Sequence, residues 1–441
     1  MAINNGKERF LDAFERRFSK RGGASWLIDL RRTAIERFGE LGFPTTQHED
    51  WKYTNVAAIA AVDFVAPKPN GFHRATQELL AFSFADDAQN RLVFIDGVYS
   101  AEHSSTANLS PGTRVQNLAE LLSHDDDLVA PWLARYAEFQ DRSFVALNTA
   151  FMDDGAVIFV PAGCRMAEPI HIIFLCTGAA QPMALHPRNL IVCGERSEVR
   201  IVESYAGFGS GVYFVNPVTE IAGAADCVID HYRLQREADA AFHVGAISAR
   251  LERATTLTSQ QITLGGALVR NDIYAILNGE GSDCTLNGLY LTDGDQHVDN
   301  HTEIVHAQPR ASSRELYKGI LRGRARGVFN GKIVVRKAAQ KTDARQTNKN
   351  LLLSKDAAVN SKPQLEIHAD DVKCSHGSTI GQLDRDALFY LRARGIGEND
   401  ARNLLSYGFA AEVLSRVNIE SLRRRLEEYL LTQFGRMAVL P

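Results

Sequence analysis

Cys227-Val-Ile-Asp-His-Tyr-Arg-Leu234 is a short run of β-branched and aromatic residues broken by polar ones, and it has counterparts along half of the chain. They include Val157 to Val160, Ile170 to Leu175, Glu198 to Glu203, Ile273 to Leu277 and Gly331 to Val335. From about Phe144 to Gly381 such runs follow one another with almost nothing between them that reads as a helix. A long series of short strands without intervening helices predicts a sandwich, a barrel, a propeller or a β-solenoid. Leu286-Asn287-Gly288, Phe329-Asn330-Gly331 and Val359-Asn360-Ser361 each lead into an alternating stretch, and this weak self-similarity favours the solenoid. Their spacings of 43 and 30 residues are not multiples of one period. Unrelated Asn-Gly hairpin turns would leave the same trace.

Either side of this region the pattern changes to helix. Leu27, Leu30, Ala34, Phe38 and Leu41 recur at steps of three and four and stop at Gly42 and Pro44. Leu118, Leu121 and Leu122 predict a short helix, Trp132 to Phe139 another, and Arg91 to Tyr99 a strand beside them. Near the other end, Ile419, Leu422, Leu426, Tyr429, Leu430 and Phe434 share one helical face behind Asn418 as a cap, with Arg423 to Arg425 opposite. The division is therefore 1–145, mainly helical; 146–382, a β core; and 383–441, helical. A terminal helix of this kind either covers the end of a solenoid or docks a partner.

The 441 residues are 45% hydrophobic and 23% charged with a net charge of -4, which argues for a folded globular protein and against disorder. The longest apolar stretches, such as Ile170 to Cys176, are far shorter than the ~20 residues that span a bilayer. Glu8, Asp12 and Glu15 interrupt any apolar signal core, so a cytoplasmic protein is expected. Cysteines 164, 176, 193, 227, 284 and 374 form no Cys-x-x-Cys pair, and Cys176 and Cys193 lie in apolar runs that suit buried thiols. No Gly-x-Ser-x-Gly elbow, phosphate-binding glycine loop or His-Glu-x-x-His is present.

Three constellations could carry chemistry. Cys374-Ser375-His376 would project a thiol and an imidazole from one face of a strand, and both suit iron or zinc; two ligands do not complete a site. His297, Asp299, His301 and Glu303 would share one strand face, as metal ligands or as an ordinary polar face, with His306 outside that register. Between Arg310 and Lys349 there are twelve basic residues against Glu315 and Asp343. That run would attract nucleic acid or another polyanion unless it is a solvated face. Asp293, Asp295, Asp370 and Asp371 could be proposed for glycoside chemistry, as in a β-helix polysaccharide lyase or hydrolase, although no spacing singles them out.

Asn330-Gly-Lys-Ile-Val-Val335, Asp343-Ala-Arg-Gln-Thr-Asn-Lys-Asn-Leu-Leu-Leu-Ser354 and Pro363 to Gly381 together resemble the SufB/SufD family of iron–sulfur cluster assembly proteins. His297-Val-Asp-Asn-His-Thr302, Ser313-Arg-Glu-Leu-Tyr-Lys-Gly319 and Glu49-Asp-Trp-Lys-Tyr-Thr54 extend the likeness over nearly the whole chain. Cys374-Ser-His376-Gly looks like the SufD branch, and the Glu-His-Glu-Ala-like segment with its cluster cysteine that marks the SufB branch is missing.

The resemblance implies a right-handed parallel β-helix flanked by helical regions, and a non-catalytic scaffold that pairs with a SufB-like paralogue through the β-helices. It implies a SufC-like ABC ATPase bound at the C-terminal helices, where Leu388, Leu391, Leu404 and Leu405 are core or anchor, and it leaves a homodimer open for the chain alone. His376 matches the family's interfacial histidine ligand and Cys374 its neighbour, so a transient iron–sulfur cluster or iron would be shared with the partner. It also leaves room for a reduced flavin in the complex, which no residue here signals. Membranes and nucleic acid are not among the implied partners.

Overall fold

The computed structural model describes residues 2–19, 22–66, 89–178 and 181–437. Its centre is a parallel β-solenoid of about eight turns over 157–381 with helices at both ends. Each turn contributes a strand to each of two sheets. In the first sheet Glu198–Gly207, Val228–Arg236, Thr256–Thr263, Asp283–Thr292, Ser312–Leu321, Asp343–Leu352 and Lys373–Gly381 lie side by side in that order. In the second, Val218–Gly223, Phe242–Leu251, Leu268–Leu277, His297–His306, Arg326–Val335 and Ala358–Ile367 do the same. Neighbouring rungs are offset by 26 to 32 residues, as in Phe242 beside Leu268 and Arg326 beside Ala358. All the strand runs anticipated above are strands.

Strand alternation sends one row of each strand into the interior and the other outward. The inward row of Ile201, Ile229, Leu257, Cys284 and Leu286 meets Ile221, Ile247, Ile273 and Ile304 from the opposite sheet in one apolar core. Burying each such side chain contributes about 1.5–3 kcal/mol. Asn287-Gly288 and Asn330-Gly331 are not turns but lie inside strands. Gly288 and Gly331 belong to the inward rows, where a Cβ would stand 2.2 Å from the Tyr317 ring and 2.3 Å from Gln346 Nε2. The glycines make room for a large neighbour, Tyr317 one rung on from Gly288 and Gln346 across the lumen from Gly331.

The repeat itself is written in the corners. Gly163, Arg196, Asp226, Ala254, Gly281, Arg310 and Lys341 each take φ between 54° and 71° at the same point of successive turns. Each donates its backbone N–H to a carbonyl one turn further on, from Gly163 to Glu195 through to Lys341 to Asp371. Only two of the seven are glycine, so a feature that costs the others on the order of 1 kcal/mol apiece leaves little trace in the sequence.

Ser25–Leu41 is the amphipathic helix expected, ended by Gly42 at φ 63° with its N–H on the Phe38 carbonyl. Arg91 to Tyr99 is a hairpin of Asn90–Ile95 and Val98–Tyr99 about Asp96-Gly97. Leu118–His124 is helical too. Trp132 to Phe139 is not: it is a series of turns in which the amides of Ala134, Tyr136 and Ala137 donate to the Glu220 carboxylate instead of to helical carbonyls. A helix unmarked by periodicity, Ser143–Phe151, crosses the start of the β region; every residue from Phe144 to Phe151 is buried, so no polar face marks it.

The C-terminal helices Arg385–Ala393, Glu398–Leu414 and Glu420–Met437 do not cover the solenoid end. The second and third of them lie on the outer face of the first sheet, where Tyr232, Leu234, Leu289, Leu291, Leu316 and Ile320 form an apolar strip against Val413, Leu422, Leu426, Leu430 and Phe434, and the first rests on the second. That strip is what the helices shield from water. Asn418 is no cap, because its backbone N–H donates to Tyr232 Oη and its side chain to Asp230, tying the last helix to the solenoid.

Candidate functional site

With the helices on its flank, the solenoid ends in an uncovered rung. Ala358–Ile367 and Lys373–Gly381 are the last strands of their sheets, each paired on one side only. Nearly every residue of Lys373–Gly381 is exposed. Unpaired strand edges of this length are templates for pairing with another chain.

Cys374 and His376 sit on this rung, next to Ala344 and Gln346 of the strand below. Both point toward the interior of the solenoid. Cys374 packs against the cluster of Ile333, Val335, Ala339 and Ala344, and Ser378 Oγ lies 2.8 Å from Ser361 Oγ across the opening. His376, between them in the alternation, shares that side. Burial pushes the half-buried Cys374 thiol up, so this chain alone keeps it protonated at neutral pH, and a metal would have to displace that proton. Among the described residues no group of three or more His, Cys, Asp or Glu could hold a metal ion. A thiol and an imidazole have the donor chemistry of iron and cluster ligands, and two of them are too few to close a site. Cys176, Cys193, Cys227 and Cys284 are buried with raised thiols and act as small hydrophobes.

His297, Asp299, His301 and Glu303 do share the outer face of their strand, but the first three serve a polar staple and Glu303 lines the groove beside it. Asp299 receives Arg270 Nη1 at 2.9 Å, lies 3.0 Å from His301 Nε2 and accepts a hydrogen bond from Thr54. Thr54 also meets His297, and Trp51 stacks on Arg270 at 3.7 Å. Two stretches some 240 residues apart thus hold the N-terminal segment on the solenoid and line a groove of about 420 Å³. Burial would raise the Asp299 carboxyl, yet His301 and Arg270 outweigh it and keep it well below the usual range. Replacing Thr54 with Val should lower stability by about 1–2 kcal/mol, since it strips a donor from a buried carboxylate. A melting curve indistinguishable from wild type would show the staple to be idle.

Eight of the twelve basic residues between 310 and 349 are engaged in ion pairs, among them Arg310 with Glu280, Arg314 and Arg345 with Asp343, and Lys318 and Lys349 with Glu412. The run therefore offers little free charge to a polyanion. Asp293 and Asp295 are spoken for by Arg322 and Arg324. On the C-terminal helices Leu388, Leu391 and Leu405 are half-buried, Leu404 is exposed, and Phe389 is 74% exposed on a helix that buries no residue at all. Among the described residues no helix is long and apolar enough to cross a membrane.

Sequence reasoning missed the polar interior. Glu203, His231 and Arg233 point into the lumen, where Glu203 meets Arg233 Nε at 3.0 Å and His231 Nε2 at 3.1 Å with Thr219 beside them. Burial pushes the Glu203 carboxyl up, but Arg233 and His231 hold it far below the usual range. Further along, Glu315 has no cation beside it, and burial raises its carboxyl to about 7. The available signal was alternation: Glu203 follows Ile201, and Arg233 follows Ile229, in inward register.

Two family descriptions match the chain. Residues 174–409 match the SUF system FeS cluster assembly SufBD core domain, and residues 5–172 match the SufBD protein N-terminal region. An iron–sulfur cluster assembly SufBD family protein of Synechocystis is 34% identical over 92% of this chain and 90% of its own length. The iron–sulfur cluster assembly protein SufD of Escherichia coli is 32% identical over 89% of each. The SufD of Bacillus subtilis is 25% identical over 91% of this chain and 92% of its own.

Proposed function

The chain belongs to the SufBD family of SUF-system iron–sulfur cluster assembly proteins, and from that premise we propose that it is the SufD-type, non-catalytic scaffold subunit of a cytoplasmic assembly complex. It pairs with a SufB-like paralogue through the open end of the solenoid, and His376 supplies a ligand to iron or a nascent cluster there. The observation that carries this reading is the uncovered last rung, which presents His376 at an edge able to take up another chain's strand. A neutral imidazole and a thiolate are apt donors to iron, and the missing donors are what a partner at that edge would bring. Cys374 is the second ligand of this half-site.

An ABC ATPase of the SufC type docks on the C-terminal helices. Phe389 and Tyr390 are large and exposed on a helix that buries no residue, and Leu404 is exposed on Glu398–Leu414, whose other face packs on the solenoid, as interface anchors are. When the paralogue is absent, the same open edge supports self-pairing into a homodimer.

Anaerobic purification of the tagged chain from its own cells, followed by native mass spectrometry, tests the assembly. One paralogue and two ATPase chains are expected to accompany it; a chain that is always alone or self-paired would overturn the scaffold reading. Phe389→Asp is expected to lose the ATPase bound by this subunit while keeping the paralogue. His376→Ala in the intact complex is expected to reduce iron and cluster content at least tenfold, and unchanged loading would remove the ligand role.

A further inference from the structure

Beneath His376 in the same inward column stand Gln346 and then Glu315, strand partners one and two rungs down. Gln346 is 2% exposed. Its side chain reaches over Gly331 of the opposite sheet, filling the space a Cβ there would take. Nε2 donates to Glu315 Oε2, and this contact fixes which way the amide faces: nitrogen inward to the carboxylate, oxygen away from it. Yet Gln346 Oε1 is buried and meets no hydrogen-bond donor among the described residues. An amide oxygen left so has given up its hydration without a donor in exchange, a deficit that a nearby N–H would make good. The rung beyond Gln346 carries an imidazole with an N–H to give and a rotatable side chain to bring it.

We propose that Gln346 is the positioning residue for His376, its Oε1 accepting the ring N–H so that one tautomer is held and the other ring nitrogen turns its lone pair to the open end. Glu315 acts one step further back, by clamping the amide. A metal-bound histidine is commonly oriented through its second nitrogen in this way, and loss of that partner lowers metal affinity by about 10–100-fold. The consequence for iron rests on the ligand reading of His376; the hydrogen bond itself does not.

The test uses the full chain with ¹⁵N-labelled histidine rings at pH 8, His376 being assigned by the signal lost in His376→Ala. Wild type is expected to show a single His376 tautomer. Gln346→Met, similar in shape but without an acceptor, is expected to show a mixture, and Gln346→Glu combined with Glu315→Gln, which keeps one amide against one carboxylate with the roles exchanged, to restore the single form. Identical His376 ring shifts in wild type and Gln346→Met, with both folded by melting, would overturn the proposal. In the anaerobic complex, ferrous iron titration is expected to show about 10–100-fold weaker binding for Gln346→Met and recovery in the Gln346→Glu, Glu315→Gln pair. If His376→Ala leaves iron binding intact while the tautomer still responds to Gln346, the ligand reading fails and the positioning role stands.

Discussion

Replacing Glu220 with alanine is expected to destabilise the protein more than any other single change considered. Glu220 and Arg188 are both fully buried, with Oε1 2.7 Å from Nη2 and 3.0 Å from Nε. The same carboxylate accepts the amides of Ala134 at 2.8 Å, Tyr136 at 2.8 Å and Ala137 at 3.1 Å. Arg188 Nη1 in turn donates to Asn148 Oδ1 at 3.0 Å on the buried helix Ser143–Phe151. One side chain therefore joins the second sheet, that helix and the 134–137 turns. Removing one partner of a buried ion pair costs about 3–5 kcal/mol, because the other charge is left without its counter-charge. Each orphaned amide adds on the order of 1 kcal/mol or more. The expected readout is a fall in Tm on the order of 5–10 °C, with early proteolytic cleavage in 130–142. Glu220→Gln keeps acceptor oxygen but not charge, so it should fall between. An alanine variant melting within about 2 °C of wild type would mean that the network contributes nothing net.

Glu315→Gln is expected to do the opposite, and to do it only above acidic pH. Burial raises this carboxyl from the ordinary 4.5 to about 7, against a smaller opposing effect of the hydrogen bond from Gln346. Below pH 4.5 the group is protonated folded and unfolded alike and has no effect. Between 4.5 and 7 the unfolded chain releases the proton while the folded one retains it, so stability falls as pH rises; above 7 the loss levels off at about 3 kcal/mol. The glutamine variant removes that loss without changing shape. Its advantage over wild type should grow from near zero at pH 4 to about 3 kcal/mol at pH 8 in urea unfolding. A difference that does not vary with pH would show that Glu315 is not the raised group.

Local pattern made the strands and the Ser25–Leu41 helix legible, because alternation and three-to-four spacing record which side of an element meets water. The pattern fails where that record is absent. Ser143–Phe151 is buried all round, and the turns at 134–137 are held by a carboxylate some 85 residues away. The solenoid period was obscured because Asn287 belongs to one sheet, Asn330 and Asn360 belong to the other, and five of the seven left-handed corner residues are not glycine.

Sequence alone therefore determined the class of fold, the three-part order of the chain, the family likeness, and Cys374 and His376 as the residues to watch. These follow from residue type and near-neighbour spacing. Tertiary structure decided that the C-terminal helices lie on the flank and leave the last rung open, that Thr54 is bound to His297 and Asp299, and that Glu315 and Gln346 stand beneath His376. In a parallel solenoid the neighbours that matter are about thirty residues apart, and polar residues look the same in sequence whether they face water or the lumen. Which they face is set by the register of stacked turns, a property of the whole assembly of strands.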